Sequence, residues 1–262
     1  MTAHEPQFID VGIGENLRKI AVLDVPGTAP GLLWLSGFKS DMTGTKAEAL
    51  GEWAQKNGHR CTRFDYSGHG SSGGVFENAC VSDWLEEASA VFDRFCDGPT
   101  VLVGSSMGGW IALLLALKRR ETAKVAGMVL IAPATDFTEE LMWKHRFNDK
   151  IRETIQRDGR WEAPSEYSED PYVITQRLIE DGRKHLILDQ LLRFGLPITI
   201  LQGARDVDVP WQHAERLVRA LPDDDVVFSL VPDGDHRLSR PQDIDLLLRS
   251  VETLASSNST ER

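Results

Sequence analysis

Ser106 stands at the centre of a glycine-flanked run, Gly104-Ser105-Ser106-Met107-Gly108-Gly109, with the apolar stretch Pro99 to Val103 before it and Trp110 to Leu117 after it. That order reads as a short strand, a sharp turn and a helix, and it commits the chain to strand–helix architecture around Ser106. Gly104 and Gly108 lie two residues either side of Ser106. A turn this tight brings backbone so close to backbone that a side chain at either position would clash. Ser106 Oγ then sits at the tip of the turn, beside a helix N-terminus whose dipole and free N–H groups favour developing negative charge. A serine held this way is a nucleophile only if the rest of the chain supplies a histidine, a carboxylate and hydrogen-bond donors for an oxyanion.

Short apolar segments alternate with helical patterns from about residue 30 onward, which predicts an α/β fold with a mostly parallel central sheet flanked by helices. Strands are expected at 31–35, 61–65, 101–104, 125–131, 198–202 and 226–231. An earlier strand over 18–25 should pair antiparallel with 8–11. Helices are expected at 45–56, ended by Asn57-Gly58, at 82–95 with Ser82 as N-cap, at 211–221 and at about 242–254. The chain reads as a single domain over 1–262. Between Pro133 and Pro197 strand alternation is lost, and Trp143, Phe147, Trp161, Tyr167 and Tyr172 lie among many charges. An insertion of this length in a compact fold is usually a lid or binding element, so a small helical cap is expected over about 136–195.

The 262 residues suffice for one large core. A formal net charge of −11 disfavours nucleic acid and anionic lipid as partners. Cys61, Cys80 and Cys96 lack metal-ligand or CxxC spacing, which suits free thiols in a reducing compartment. The N-terminus shows no targeting segment, and Trp110 to Leu117 is far short of the ~20 apolar residues a membrane span needs. A cytoplasmic protein without stable membrane insertion is expected. HExxH, Walker and dinucleotide-binding motifs are absent, so neither metal nor organic cofactor is expected.

The acid and base should follow later strands in the order Ser, Asp, His. Asp206 lies in the loop after 198–202, and His236 lies just past 226–231. Both loops leave the carboxyl edge of the sheet, where open α/β folds bind ligands. Asp208 is the rival acid, but Asp206 is closer to the strand end and follows the small turn Gly203-Ala204. Asp235 is expected to shape its loop. His69, in the glycine loop Gly68 to Gly74, reads as structural, and His59, His145, His185 and His213 have no motif support. The oxyanion donors should be the N–H of Met107 and that of Phe38 in the loop Ser36 to Ser40, with both side chains beside the acyl group.

These motifs, together with Trp34 to Phe38 and Phe64 to Ser72, resemble the α/β-hydrolase superfamily over about 17–254. Within it, Ser40 to Ala47, Arg63 to Gly68, Val103 to Trp110, Pro164 to Tyr167 and Val209 to Gln212 resemble a palmitoyl-protein thioesterase group, and acidity and short termini point to a bacterial branch. The resemblance implies a Ser106–Asp206–His236 triad acting on acyl thioesters, acylated proteins included, or on esters such as acyl glucuronides. A general carboxylesterase is the alternative within enzymes. A hydrolase fold that only binds ligands is the alternative outside them.

Overall fold

In the computed structural model the described residues are 5–122, 124–163 and 172–257. Eight strands form one sheet: β1 (Gln7–Val11), β2 (Arg18–Val25), β3 (Thr28–Leu35), β4 (His59–Phe64), β5 (Thr100–Ser105), β6 (Val125–Ile131), β9 (Ile198–Gly203) and β10 (Val226–Val231). Their spatial order is β1-β2-β4-β3-β5-β6-β9-β10. The pairs from β4 through β10 are parallel, while β1 pairs antiparallel with β2 and β2 with β4. The expected strands are all present, most of them extended by one to three residues.

Side-chain alternation shows why the strand segments read as continuous apolar runs. Leu33 and Leu35 of β3 point to one face, with Leu102, Met128 and Ile200, and meet α2 (Val81–Phe95), α3 (Met107–Arg119) and α6 (Trp211–Arg219). Leu32 and Trp34 point to the other, with Val101, Val103, Val129 and Leu201, and meet α1 (Thr45–Asn57) and α7 (Pro241–Ser257). A strand covered on both faces needs apolar residues at every position rather than at every second one.

Helix α1 ends as expected, with Gly58 left-handed at φ 77° and its N–H bonded to the last turn. The start of α2 differs from expectation. Cys80, not Ser82, is the N-cap, because Asp83 at the third helical position reaches back to the Cys80 N–H at 3.1 Å. Ser82 lies inside the helix, and its N–H and Oγ donate to Asp181 at 2.7 and 2.9 Å. All three cysteines are free and buried, and burial pushes each thiol up to about 12.

The segment expected to be a helical cap contains a π-helix (Thr138–Arg146), α4 (Asp149–Asp158) and α5 (Gln176–Gly182). It is not wholly helical. Strands β7 (Arg160–Ala163) and β8 (Tyr172–Thr175) form an antiparallel pair with Trp161 opposite Ile174. Four-residue strands are too short to show a period, whereas the run Tyr172-Val173-Ile174-Thr175 has the β-branched and aromatic content that such a ladder favours. Pro164 to Tyr167 lie outside the described residues. The two ends of the segment are clasped by Asp136, whose buried carboxylate accepts the Ile187 and Leu188 N–H groups at 3.0 and 2.9 Å. Burial pushes that carboxyl up to about 6.

Candidate active site

Ser106 joins β5 to α3 with φ 53° and ψ −118°, a strained conformation for a residue with a side chain. Its N–H donates to Ile131 O at 2.8 Å, and its carbonyl accepts from Gly109 and Ala134, which fixes the turn from both sides. The glycines are there for space. A Cβ on Gly108 would stand 1.9 Å from Leu35 O, and one on Gly104 would stand 2.4 Å from Gly108 O.

The ends of β9 and β10 bring two side chains to this turn. His236 Nε2 lies 3.1 Å from Ser106 Oγ, and His236 Nδ1 lies 2.8 Å from Asp206 Oδ2. A carboxylate can only accept, so Nδ1 carries the proton and Nε2 is left as an acceptor facing the serine hydroxyl. Asp206 has no exposed side-chain surface. Its Oδ1 accepts the N–H groups of Asp208 and Val209 at 2.9 and 2.8 Å, and Oδ2 also accepts from Gln202 Nε2 at 3.1 Å. Asp208 pairs with Arg146 at 3.1 Å, and one of its carboxylate oxygens lies within 4.8 Å of the facing atoms of Asp206 and His236. Asp235 accepts the Leu238 N–H at 3.0 Å and so shapes the loop that carries His236.

The loop after β3 passes close to the serine: a Cβ on Gly37 would lie 3.3 Å from Ser105 O. The Phe38 N–H has no hydrogen-bond partner among the described residues. Met107 is the first residue of α3, so its N–H has no acceptor within the helix. The Met107 side chain, expected beside an acyl group, is instead buried in the core under the sheet. That is where a first-turn residue points when its helix packs on the strand that leads into it.

His69 holds this loop from behind. Its Nδ1–H donates to Ser67 O at 3.1 Å, and its Nε2 accepts the Lys39 N–H at 3.1 Å. Burial lowers its pKa to about 4, so the ring stays neutral and can serve as acceptor. Ser67 is fixed in turn by Glu87, which accepts its N–H at 2.9 Å and pairs with Arg18 at 2.6 Å. Burial pushes the Glu87 carboxyl up to about 7. Gln202 and Glu87 were not singled out from the sequence. Their signal is a long polar side chain among buried apolar ones, Gln202 at the end of the buried strand β9 and Glu87 on the face of α2 that carries Trp84, Ala88 and Val91.

Ser106 and His236 open onto a cavity of about 440 Å³. Phe38, Phe137, Leu141, Phe147, Trp161 and Tyr172 line most of it, so the inserted segment supplies its outer wall. Trp143, also expected there, lies behind it, packed on Phe147 and under the Arg183 guanidinium. Tyr167 is outside the described residues.

A mostly parallel sheet wound with helices, a Gly-flanked serine on the strand–helix turn, and acid and imidazole past the ends of β9 and β10 define an α/β hydrolase. A family model described as serine aminopeptidase, S33, matches residues 32–243, and the chain belongs to this hydrolase family. It is 34% identical over 249 residues to the human palmitoyl-protein thioesterase ABHD10, mitochondrial, a match spanning 94% of this chain and 79% of the relative. Among solved structures it is similar to a putative hydrolase from Agrobacterium vitis S4, at 47% identity and a TM-score of 0.92 over 96% of this chain and 98% of the other. It is also similar to mouse α/β hydrolase domain-containing protein 10, at 32% identity and 0.85 over 96% and 99%. Among the described residues, no helix is long and apolar enough to cross a membrane.

Proposed function

We propose that this protein is a serine hydrolase that cleaves acyl thioesters or esters through an acyl-enzyme on Ser106, in the manner of a palmitoyl-protein thioesterase. The observation that carries this is the continuous hydrogen-bonded line Ser106–His236–Asp206 at the floor of an apolar cavity. His236 Nε2 takes the Ser106 Oγ proton as Oγ bonds to the substrate carbonyl carbon. The Phe38 and Met107 N–H groups bind the oxyanion, each contributing about 3 kcal/mol in the transition state. Asp206 stabilises the imidazolium, which then protonates the leaving thiol or alcohol as its bond to carbon breaks. Water repeats the sequence on the acyl-enzyme and restores Ser106. The steps use only side chains and backbone of this chain and ask for no cofactor.

Ser106→Ala is expected to abolish burst-phase acylation and Ser106 labelling by a fluorophosphonate, with turnover down by about 10⁴-fold or more. Near-full turnover in that variant would sink the assignment. Wild-type protein that resists the fluorophosphonate would favour a ligand-binding role. A series of thioesters and matched oxygen esters of increasing acyl length separates a long-chain thioesterase from a short-ester carboxylesterase. The apolar, aromatic wall of the cavity favours the first. An acylated protein as natural substrate, and action in the cytoplasm, belong to the same proposal.

A further inference from the structure

His236 can act on Ser106 only while its ring reaches two partners at once, Asp206 at 2.8 Å and Ser106 at 3.1 Å. It stands in the loop between β10 and α7, and that loop is strained. Leu238, two residues on, has φ 43°, and its side chain is buried with Ala47 and Leu50 of α1. A left-handed leucine crowds its Cβ against the backbone and persists only where the surroundings hold it. The loop supplies part of that hold itself. Asp235 accepts the Leu238 N–H, and Ser239 Oγ donates to the Arg237 carbonyl at 3.0 Å.

A further hold crosses from α1. Lys46 is the second residue of that helix, and its ammonium donates to the Arg237 carbonyl and, at 3.3 Å, to Ser239 Oγ. Both acceptors belong to residues just after His236. A hydrogen bond from an ionised donor is roughly twice as strong as a neutral one. This one is kept against a cost, because Lys46 is half-buried and an ammonium taken out of water is destabilised. Burial lowers its pKa to about 8, Arg237 adds to the shift, and Asp235 and Asp243 oppose it. Asp243 is itself engaged by Arg240 at 2.8 Å. Lys46 also lines a cavity of about 310 Å³ with Lys39, Asp41, Ser106 and His236, so solvent and small reagents reach it.

Given the hydrolase reading above, on which this rests, we propose that Lys46 is a positioning residue for the base: by pinning the Arg237 carbonyl and Ser239 it fixes the His236 imidazole between Asp206 and Ser106. Lys46 acts through the backbone of the loop, not on the reacting atoms. Loss of its charge weakens the hold without removing it, since a neutral amine still donates but without charge assistance.

Lys46→Cys and Lys46→Met are each expected to lower kcat about 10- to 100-fold, the scale of a slightly misplaced reacting group. KM should change little, and fluorophosphonate labelling of Ser106 should slow in step with kcat. Treatment with 2-bromoethylamine converts the introduced thiol into an S-aminoethyl group, which restores an ammonium at nearly the reach of lysine, while Cys61, Cys80 and Cys96 are buried. It should return most of the lost kcat in Lys46→Cys and none in Lys46→Met. In the wild type kcat should fall as pH rises through about 8. That limb should be missing in Lys46→Met and displaced to lower pH in the aminoethylated protein, because the sulfur makes the ammonium more acidic. Lys46→Gln, a shorter neutral donor, should fall in between without the limb, and serves if the other variants fold poorly. Wild-type kcat in Lys46→Met or Lys46→Gln, with labelling unchanged, overturns the role and leaves the hydrolase reading standing. So does a loss in Lys46→Cys that aminoethylation does not return, because altered packing of α1 would then explain it. Wild-type protein inert to the fluorophosphonate and to every ester and thioester removes the hydrolase reading and the brace together.

Discussion

The floor and the outer wall of the site are built by different rules. The floor is the carboxyl edge of the sheet, where Ser106, Gly108, Leu35 and Ile131 approach backbone to backbone with no room for a methyl group. The wall is the inserted segment, closed at its base by the Asp136 clasp and tied to the rest by ion pairs such as Arg216–Glu140 and Arg146–Asp208, whose arginines are well exposed. Reaction geometry tolerates displacements of only a fraction of an ångström, so it belongs where the packing is closest. The fit to a substrate can change without touching it, because it is written into a segment with its own short elements.

Two glycines test this contrast most severely. Gly108→Ala forces a Cβ to 1.9 Å from Leu35 O and is expected to cost more than about 3 kcal/mol in urea denaturation, with acylation lost. Gly159→Ala, at the C-cap of α4 with φ 75° and nothing within 4 Å, should cost only about 1 kcal/mol, from backbone strain alone. Equal costs would mean that the wall is as tightly determined as the floor.

The next largest effect is pH-dependent and sits behind the floor. The folded Glu87 pKa of about 7 exceeds the ordinary value of 4.5. Its contribution to stability is therefore fully present below 4.5 and is lost as pH rises through 7. Relative to Glu87→Gln, the wild-type protein should lose up to about 3 kcal/mol across that window. A constant difference between the two in denaturation from pH 4.5 to 7 would count against it.

The smallest effect on stability is expected at the wall. Arg146 and Asp208 line both the apolar cavity and a neighbouring one of about 430 Å³. Arg146→Ala breaks an exposed pair worth less than about 1 kcal/mol but opens the partition. Longer acyl chains should gain about fourfold in kcat/KM for each further methylene accommodated, read from the chain-length series. An unchanged optimum would place the partition elsewhere.

Much of the floor was legible because it is local in sequence. The runs 125–131 and 226–231 became strands at those residues, and chain order alone brought Asp206 and His236 to the strand ends beside Ser106. The catalytic roles of these residues and of Phe38 are a matter for the experiments above. The wall was legible only as an insertion. Trp161 meets Ile174 and Asp136 meets Leu188 across the segment, and no spacing rule announces pairings of that kind. Cys80 hid the start of α2 because the reaching side chain was Asp83, three residues on. His69 read correctly as structural, but its task of accepting the Lys39 N–H depends on a loop thirty residues away.

The three buried cysteines have a practical side. Thiol–disulfide exchange and alkylation need a thiolate within reach of the reagent. Cys61, Cys80 and Cys96 offer neither, being enclosed and with pKa values near 12. Thiols released by the proposed thioesterase reaction would thus meet no cysteine able to capture them as mixed disulfides. Aromatic disulfide reagents added to follow such a reaction would report product against a silent background.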